Sequence, residues 1–120
     1  MTKAALDQLK DQYPGCETLA FADLSTQMVL LSNADSSLPR EALDALCAEA
    51  ALVFGTKSAP AVGDTPATTA LIATPALLRI YLRDIEEPSD ALCCICRHDI
   101  PLDAFVNDAR ACLERISQDG

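Results

Sequence analysis

The apolar residues of this chain change their spacing in one fixed order: helix, strand, strand, helix, strand, strand, strand, helix. Helical faces recur every three to four residues and strand faces every two, so an order of periods is an order of elements. Helical stripes at both ends and in the middle bracket runs that alternate, and few architectures accept that arrangement. No residue cluster demands a particular chemistry, so function has to be argued from shape and surface.

The first helix is expected over Lys3 to Gln12, with Thr2 as N-cap, Leu6 and Leu9 on its apolar side and Pro14-Gly15 as its stop. Cys16 to Asp23 then alternates, with Leu19 and Phe21 on one face and Thr18, Ala20 and Ala22 on the other. Asp23-Leu24-Ser25-Thr26 reads as a tight turn, because Asp and Ser bond nearby backbone amides. Gln27 to Ser32 is the return strand of that hairpin, and Asn33 to Leu38 is a polar connection. Pro39 suits the first turn of a helix carrying Leu43, Leu46, Cys47, Ala50, Val53 and Phe54 at helical spacing. Arg40, Glu41, Asp44 and Glu49 lie mostly off that stripe, and Gly55 closes the helix as an αL cap would.

Gly55 to Pro66 is rich in Gly, Pro, Ser and Thr and is expected to be a flexible surface loop. Doubling such a loop costs only about 0.6 kcal/mol in closure entropy, so it needs no functional reason. Three strands follow, Ala67–Thr74, Leu77–Asp84 and Ala91–Arg97, separated by Thr74-Pro75-Ala76 and by Glu86-Glu87-Pro88-Ser89-Asp90. Neither break has room for a helical crossover, so the strands pair antiparallel. The last helix opens near Pro101 and lines up Leu102, Phe105, Val106, Ala109, Cys112, Leu113 and Ile116. Burying its five large side chains contributes on the order of 10 kcal/mol before entropy, so this stripe must be covered.

These elements specify an α+β domain spanning 1–120: a five-stranded antiparallel sheet sandwiched by three helices, order αββαβββα. The strands Ala67–Thr74 and Ala91–Arg97 are apolar on both sides, with Leu71 and Ala73 against Ile72, and Cys94 and Cys96 against Cys93 and Ile95. That predicts a sheet covered on both faces.

A chain of 120 residues buries about 65% of its unfolded surface, enough for one core without staples. Trp is absent and aromatics are few, so Leu, Ala, Ile, Val and Cys fill that core. Eighteen acidic against nine basic side chains give a net charge of −9, which repels phosphate backbones and anionic lipids. Nucleic acid and membrane are therefore not expected as partners. With no signal-peptide core at the N-terminus, a cytoplasmic location is expected, where all six cysteines are free thiols. Cys47 and Cys112 fall on helical stripes as small hydrophobes.

At this point the chain resembles the Roadblock / dynein light chain family, whose elements run in the same αββαβββα order. The residues that carry the likeness are Pro14-Gly15-Cys16 leading into a strand, the Asp23 turn and the strand Gln27–Ser32. The Ala/Leu-rich helix ending at Phe54-Gly55 and the amphipathic last helix complete it, from about Leu6 to Ile116. Family members more often carry an Asp-x-x-Gly turn; here Thr26 stands in the glycine's place, as a generic profilin-like domain of the same order would allow. The resemblance implies a non-enzymatic homodimer, paired through the middle helix and an edge strand, that serves small Ras-like GTPases or motor complexes. An edge strand does leave unpaired amides, and a second copy is an ordinary remedy.

The most chemical-looking run is Cys93-Cys94-Ile95-Cys96-Arg97-His98. On a strand, Cys94, Cys96 and His98 share a face, and all three residue types ligate zinc. Same-face neighbours stand about 6.6 Å apart, so the outer pair is about 13 Å apart, too far for ligands about 2.0–2.3 Å from one ion. A reactive Cys93 flanked across the sheet by Arg79 or Arg83 is the second option, set against burial that quiets a thiol. His98 is the one histidine, with Asp99 beside it as a cap for the last helix; Glu86, Glu87 and Asp90 read as a solvated turn. Four glycines form neither a G-x-G-x-x-G nor a P-loop. No catalytic residue, cofactor or metal is therefore expected.

Arg79-x-Tyr81-x-Arg83 is the remaining candidate, gathering basic residues in one region of an acidic protein. Tyr and Arg are enriched at interface hot spots, so Arg79, Tyr81 and Arg83 are the candidate partner-binding residues. The plainer reading is that the arginines lie over the sheet and offset Asp84 and Glu86. The expected function is a dimeric scaffold or regulatory protein; the alternative is a small-ligand sensor binding in a cleft between sheet and helix.

Overall fold

A computed structural model of the chain describes residues 3–33, 39–55, 68–87 and 89–119. The elements are α1 (Lys3–Gln12), β1 (Cys16–Asp23), β2 (Met28–Ser32), α2 (Arg40–Gly55), β3 (Thr69–Ala73), β4 (Leu78–Arg83), β5 (Asp90–Cys96) and α3 (Leu102–Asp119). The fold is the expected one, α+β in the order αββαβββα. The Thr2 cap, the connection over 34–38 and all of the expected loop except Gly55 lie outside the described residues.

One antiparallel sheet runs in the order β2-β1-β5-β4-β3. Its central seam joins β1 to β5, from Cys16 opposite Cys96 to Asp23 opposite Asp90. The seam is extended by Arg97, whose N–H donates to Gly15 O at 2.8 Å. Alternation along the strands then sorts the core into two. Leu19, Phe21, Ile80, Leu82, Leu92 and Cys94 face α1 and α3, where Leu6, Leu9, Phe105 and Leu113 complete a buried cluster. Ala20, Ala22, Tyr81 and Cys93 face α2, where they meet Leu43, Leu46, Cys47, Ala50 and Phe54.

Polar clasps fasten the helices over these clusters. The Tyr13 hydroxyl donates to Asp108, which also accepts from Gln12 Nε2 at 3.1 Å, and the Tyr13 ring meets Phe105 edge-on with centroids 5.3 Å apart. On α3, Arg110 donates to Arg83 O (3.2 Å), Thr68 O (3.0 Å) and Thr69 Oγ1 (2.7 Å), tying the helix to the start of β3. Buried Asn33 prolongs the β2 pairing: its N–H donates to Leu19 O and its Oδ1 accepts from Leu19 N–H, both at 3.0 Å.

Three local features depart from the expected ones. β3 is the sheet's edge, and its two-sided apolarity does not mean two-sided cover: Leu71 is 48% exposed and Ala73 is exposed. β2 starts at Met28 rather than Gln27 and contains a bulge, because Phe21 pairs with Leu31 and Ala22 with Val29, leaving Leu30 as the extra residue. The β1–β2 turn is held by Asp23 Oδ1, which accepts from Ser25 N–H at 2.9 Å and Ser25 Oγ at 2.6 Å. The turn closes at Gln27 with φ 57°, so the left-handed position falls one residue after Thr26 and is occupied by a side-chain-bearing residue.

A left-handed residue other than Gly carries a conformational cost of about 1–2 kcal/mol, part of which Gly gives back through its looser unfolded state. Gln27→Gly is therefore expected to raise stability by about 0.5–1 kcal/mol. Urea denaturation should show a higher midpoint at unchanged slope; a lower midpoint would mean the turn is unstrained.

Candidate functional site

Strand alternation on β4 sends Leu78, Ile80 and Leu82 toward α1 and α3, and Arg79, Tyr81 and Arg83 toward α2. The candidate residues therefore do share a face, and they meet side chains of α2. The Tyr81 ring is fully buried and its hydroxyl donates to the Glu49 carboxylate. Arg79 Nε lies 3.2 Å from the same Glu49 Oε1, as an ion pair without hydrogen-bond alignment; the two side chains are 35% and 30% exposed. Arg83 Nη1 donates to Phe54 O at 3.0 Å, and its guanidinium sits 5.1 Å from the centroid of the Phe54 ring. A cation on the last carbonyls of a helix also complements the negative end of its dipole.

Arg79 thus pairs with Glu49, and Arg83 with the end of α2. Glu49 is the residue that sequence reasoning passed over. Its signal was its position three residues after Leu46, at the border of the buried stripe. Burial, and then the adjoining Glu49 carboxylate, push the Tyr81 hydroxyl well above its ordinary pKa.

Beside this row lies a surface groove of about 340 Å³, bounded by Ala42, Ala45 and Leu46 of α2 and by Leu77, Arg79 and Ile95 of the sheet. The helix rests over β2, β1 and β5, so Ala70 and Ile72 of β3 are only partly covered on this side. The outward face of α2 presents Ala45, Ala48 and Leu52, the last 69% exposed.

The cysteine run separates by face. Cys93 joins Cys47 in the α2 cluster, whereas Cys94 and Cys96 join Cys16 and Cys112 in the other. Cys93 and Cys96 do stand in Cys-x-x-Cys spacing, contrary to the sequence reading that held no such pair to exist, yet the strand points them to opposite sides of the sheet. All six cysteines are unbridged and buried. The cross-strand neighbour of Cys93 is Tyr81, not Arg79 or Arg83, and burial pushes its thiol far up. Burial pushes Cys112 up to about 11, while a hydrogen bond with Cys16, then burial, raise Cys96.

His98 is exposed, one ring nitrogen 2.6 Å from Thr74 O, and Asp99 accepts from Arg97 at 3.4 Å rather than capping α3. Among the described residues no group of three or more His, Cys, Asp or Glu is placed to hold a metal ion, and no helix is long and apolar enough to cross a membrane.

No protein-family model matches the sequence, and no curated protein matches it. Solved structures match its shape. A Roadblock/LC7 domain from Streptomyces avermitilis aligns with a TM-score of 0.80 over 97% of this chain and 94% of its own, at 10% identity. Myxococcus xanthus MglB gives 0.76 over 98% and 92%, at 11% identity, and another MglB structure is described as having a tetrameric arrangement. MglC from Myxococcus xanthus gives 0.66 with both chains fully covered, at 11% identity. The chain has the Roadblock/LC7 fold.

Two measurements check this reading of the row and the thiols. Tyr81→Phe removes one donor from a partly exposed carboxylate and should cost about 1–2 kcal/mol in urea unfolding; no loss would show that Glu49 is held by Arg79 alone. The thiols give a pH dependence. Well below the unfolded value of 9.0, Cys112 is protonated folded and unfolded, so its contribution is complete. Between the unfolded value of 9.0 and about 11, Cys112 ionises only when unfolded, so the folded state keeps the extra proton and stability falls as pH rises. One such group gives a slope of about 1.4 kcal/mol per pH unit, and Cys93, Cys94 and Cys96 add in the same direction. A denaturation midpoint that stays level through pH 11 would contradict buried thiols.

Proposed function

We propose that this chain is a non-catalytic scaffold that works as a homodimer and presents a composite surface to a protein partner, a small Ras-like GTPase. The observation that carries the reading is the β3 margin of the sheet. Its five register pairs with β4 run without a bulge, from Thr69 opposite Leu82 to Ala73 opposite Leu78. Its outer backbone edge has no neighbouring strand among the described residues. Beside that edge lie half-covered Ala70 and Ile72, and the exposed face of α2 carries apolar Ala45, Ala48 and Leu52 along from charged Glu41 and Asp44. A regular edge next to an unfilled apolar strip is what a second copy would complete by continuing the sheet and laying its own α2 alongside.

The tetrameric arrangement described for MglB supports assembly as a property of the shared fold. Confinement of the thiols to the core, and of the one histidine to a turn, supports a binding role over a catalytic one. Within the candidate row, Arg79 has the exposure to reach a partner, whereas Tyr81 and Arg83 set the angle at which α2 is presented. The groove beside Arg79 is the observation that favours the other reading, a small-ligand sensor.

Light scattering on the eluting protein is expected to give twice the mass of one chain at tens of micromolar. Ala48→Glu places a charge on the exposed face of α2 and should yield a folded monomer. A wild-type monomer, or an unaffected dimer in the variant, would count against this interface. Arg79→Ala should weaken capture of a purified small Ras-like GTPase at least tenfold while the dimer persists, and an unchanged affinity would remove Arg79 from the partner surface.

A further inference from the structure

The opposite margin of the sheet carries a different surface. Beneath β2, the apolar side chains of Phe21, Leu30, Leu31 and Ile116 line a groove of about 530 Å³ whose rim is Glu87 and Asp90. It continues past Glu87 and Ser117 into a second depression of about 440 Å³, where Ile85 stands among Glu86, Glu87 and Glu114. Leu30 is 52% exposed and Ile85 67% exposed, so two large apolar side chains face water inside a ring of carboxylates. No Lys or Arg is among the described residues that line either depression.

The acidic rim is built rigidly. Asp84, itself buried, accepts from Glu87 N–H at 2.9 Å, and Asp90 N–H donates to Glu87 O at 2.8 Å. Ser117 Oγ donates to Asp90 Oδ2 at 2.7 Å and locks the last turns of α3 against this corner. These contacts hold carboxylates beside apolar surface, with no cation among the described residues that line the site.

We infer that this corner docks a short amphipathic segment of a protein partner, with apolar side chains seated over Leu30 and Ile85 and Lys or Arg side chains on the carboxylate rim. Charge decides the occupant. A second copy of this chain brings a net charge of −9 to an acidic ring, which disfavours self-association here. A basic segment gains from both the desolvated apolar anchors and the rim. The bulge at Leu30, in the ladder with β1, bends β2 at the sheet margin and disfavours regular strand addition, so the contact is made by side chains. The first depression lies under β2, at the margin away from β3, and the second at the β4–β5 turn; neither is lined by a residue of β3 or α2.

The test uses the full chain, isotope-labelled, titrated in the magnetic resonance spectrometer with three synthetic probes of equal length: a helical Leu/Lys peptide, oligolysine and a Leu/Glu peptide. The Leu/Lys peptide is expected to shift the amides of Leu30, Leu31, Glu87, Asp90 and Ser117 selectively, and to bind at least tenfold more tightly than either control. Its affinity should fall at least tenfold in Leu30→Ser and in Glu87→Lys, both changes at exposed positions, and should fall again as salt is raised. Equal binding of oligolysine, or shifts spread over the acidic surface, would overturn the inference by leaving only general charge attraction. So would a change of oligomeric mass in Leu30→Ser, which would make this corner a contact between copies.

Discussion

Everything in this fold hangs on the pairing of β1 with β5. The two strands come from opposite ends of the chain, yet they lie side by side in the middle of the sheet for almost their whole length. Closing so long a loop costs entropy that grows only slowly with length, and the return is a seam buried on both faces. With that seam in place, the N-terminal hairpin sits on one flank and the β3–β4 hairpin on the other. α1 and α3, which flank the seam in sequence, are then brought together over one face. α2, trapped between the two hairpins in sequence, is the described helix on the other face.

Cysteine is well matched to such a seam. At Cys93, Cys94 and Cys96 the side chain is small enough to let helices approach the sheet from both sides and apolar enough to remain dry. The alternation of the strand gives one thiol to the α2 cluster and two to the α1/α3 cluster. The row on β4 complements this on the α2 side. A fully buried Tyr81 fills the volume that small Cys93 leaves opposite it, and its hydroxyl leads out to Glu49 at the partly exposed border.

The order and type of the elements were legible in the sequence because each depends on local periodicity. The ends of α1 and β1 fall where Pro14-Gly15 and the Asp23 turn put them. What was not legible depends on which strand lies next to which. Leu71 has the same local pattern as a core residue; only its place on an edge strand exposes it. Arg79, Tyr81 and Arg83 were recognisable as a group, but their partners Glu49 and Phe54 lie far upstream, and nothing local indicates that α2 will cross above them. The bulge at Leu30 was hidden for the same reason, since a bulge is a property of a pair of strands. Gln27 was half visible. The missing glycine at Thr26 signalled an unusual turn, but the four-residue connection moved its left-handed position along by one.

The two margins of the sheet differ in regularity, and that difference has a consequence for valence. A sheet with two smooth edges offers two places to add a strand, and repeated addition generates an open fibre. Among the described residues β3 is smooth while β2 is interrupted at Leu30, so the proposed pairing would have one such place on each molecule. Two monovalent units joined edge to edge use up both sites and stop growing. In the proposed pairing, an irregularity on one side of the domain would thereby set an upper bound on polymerisation through the other.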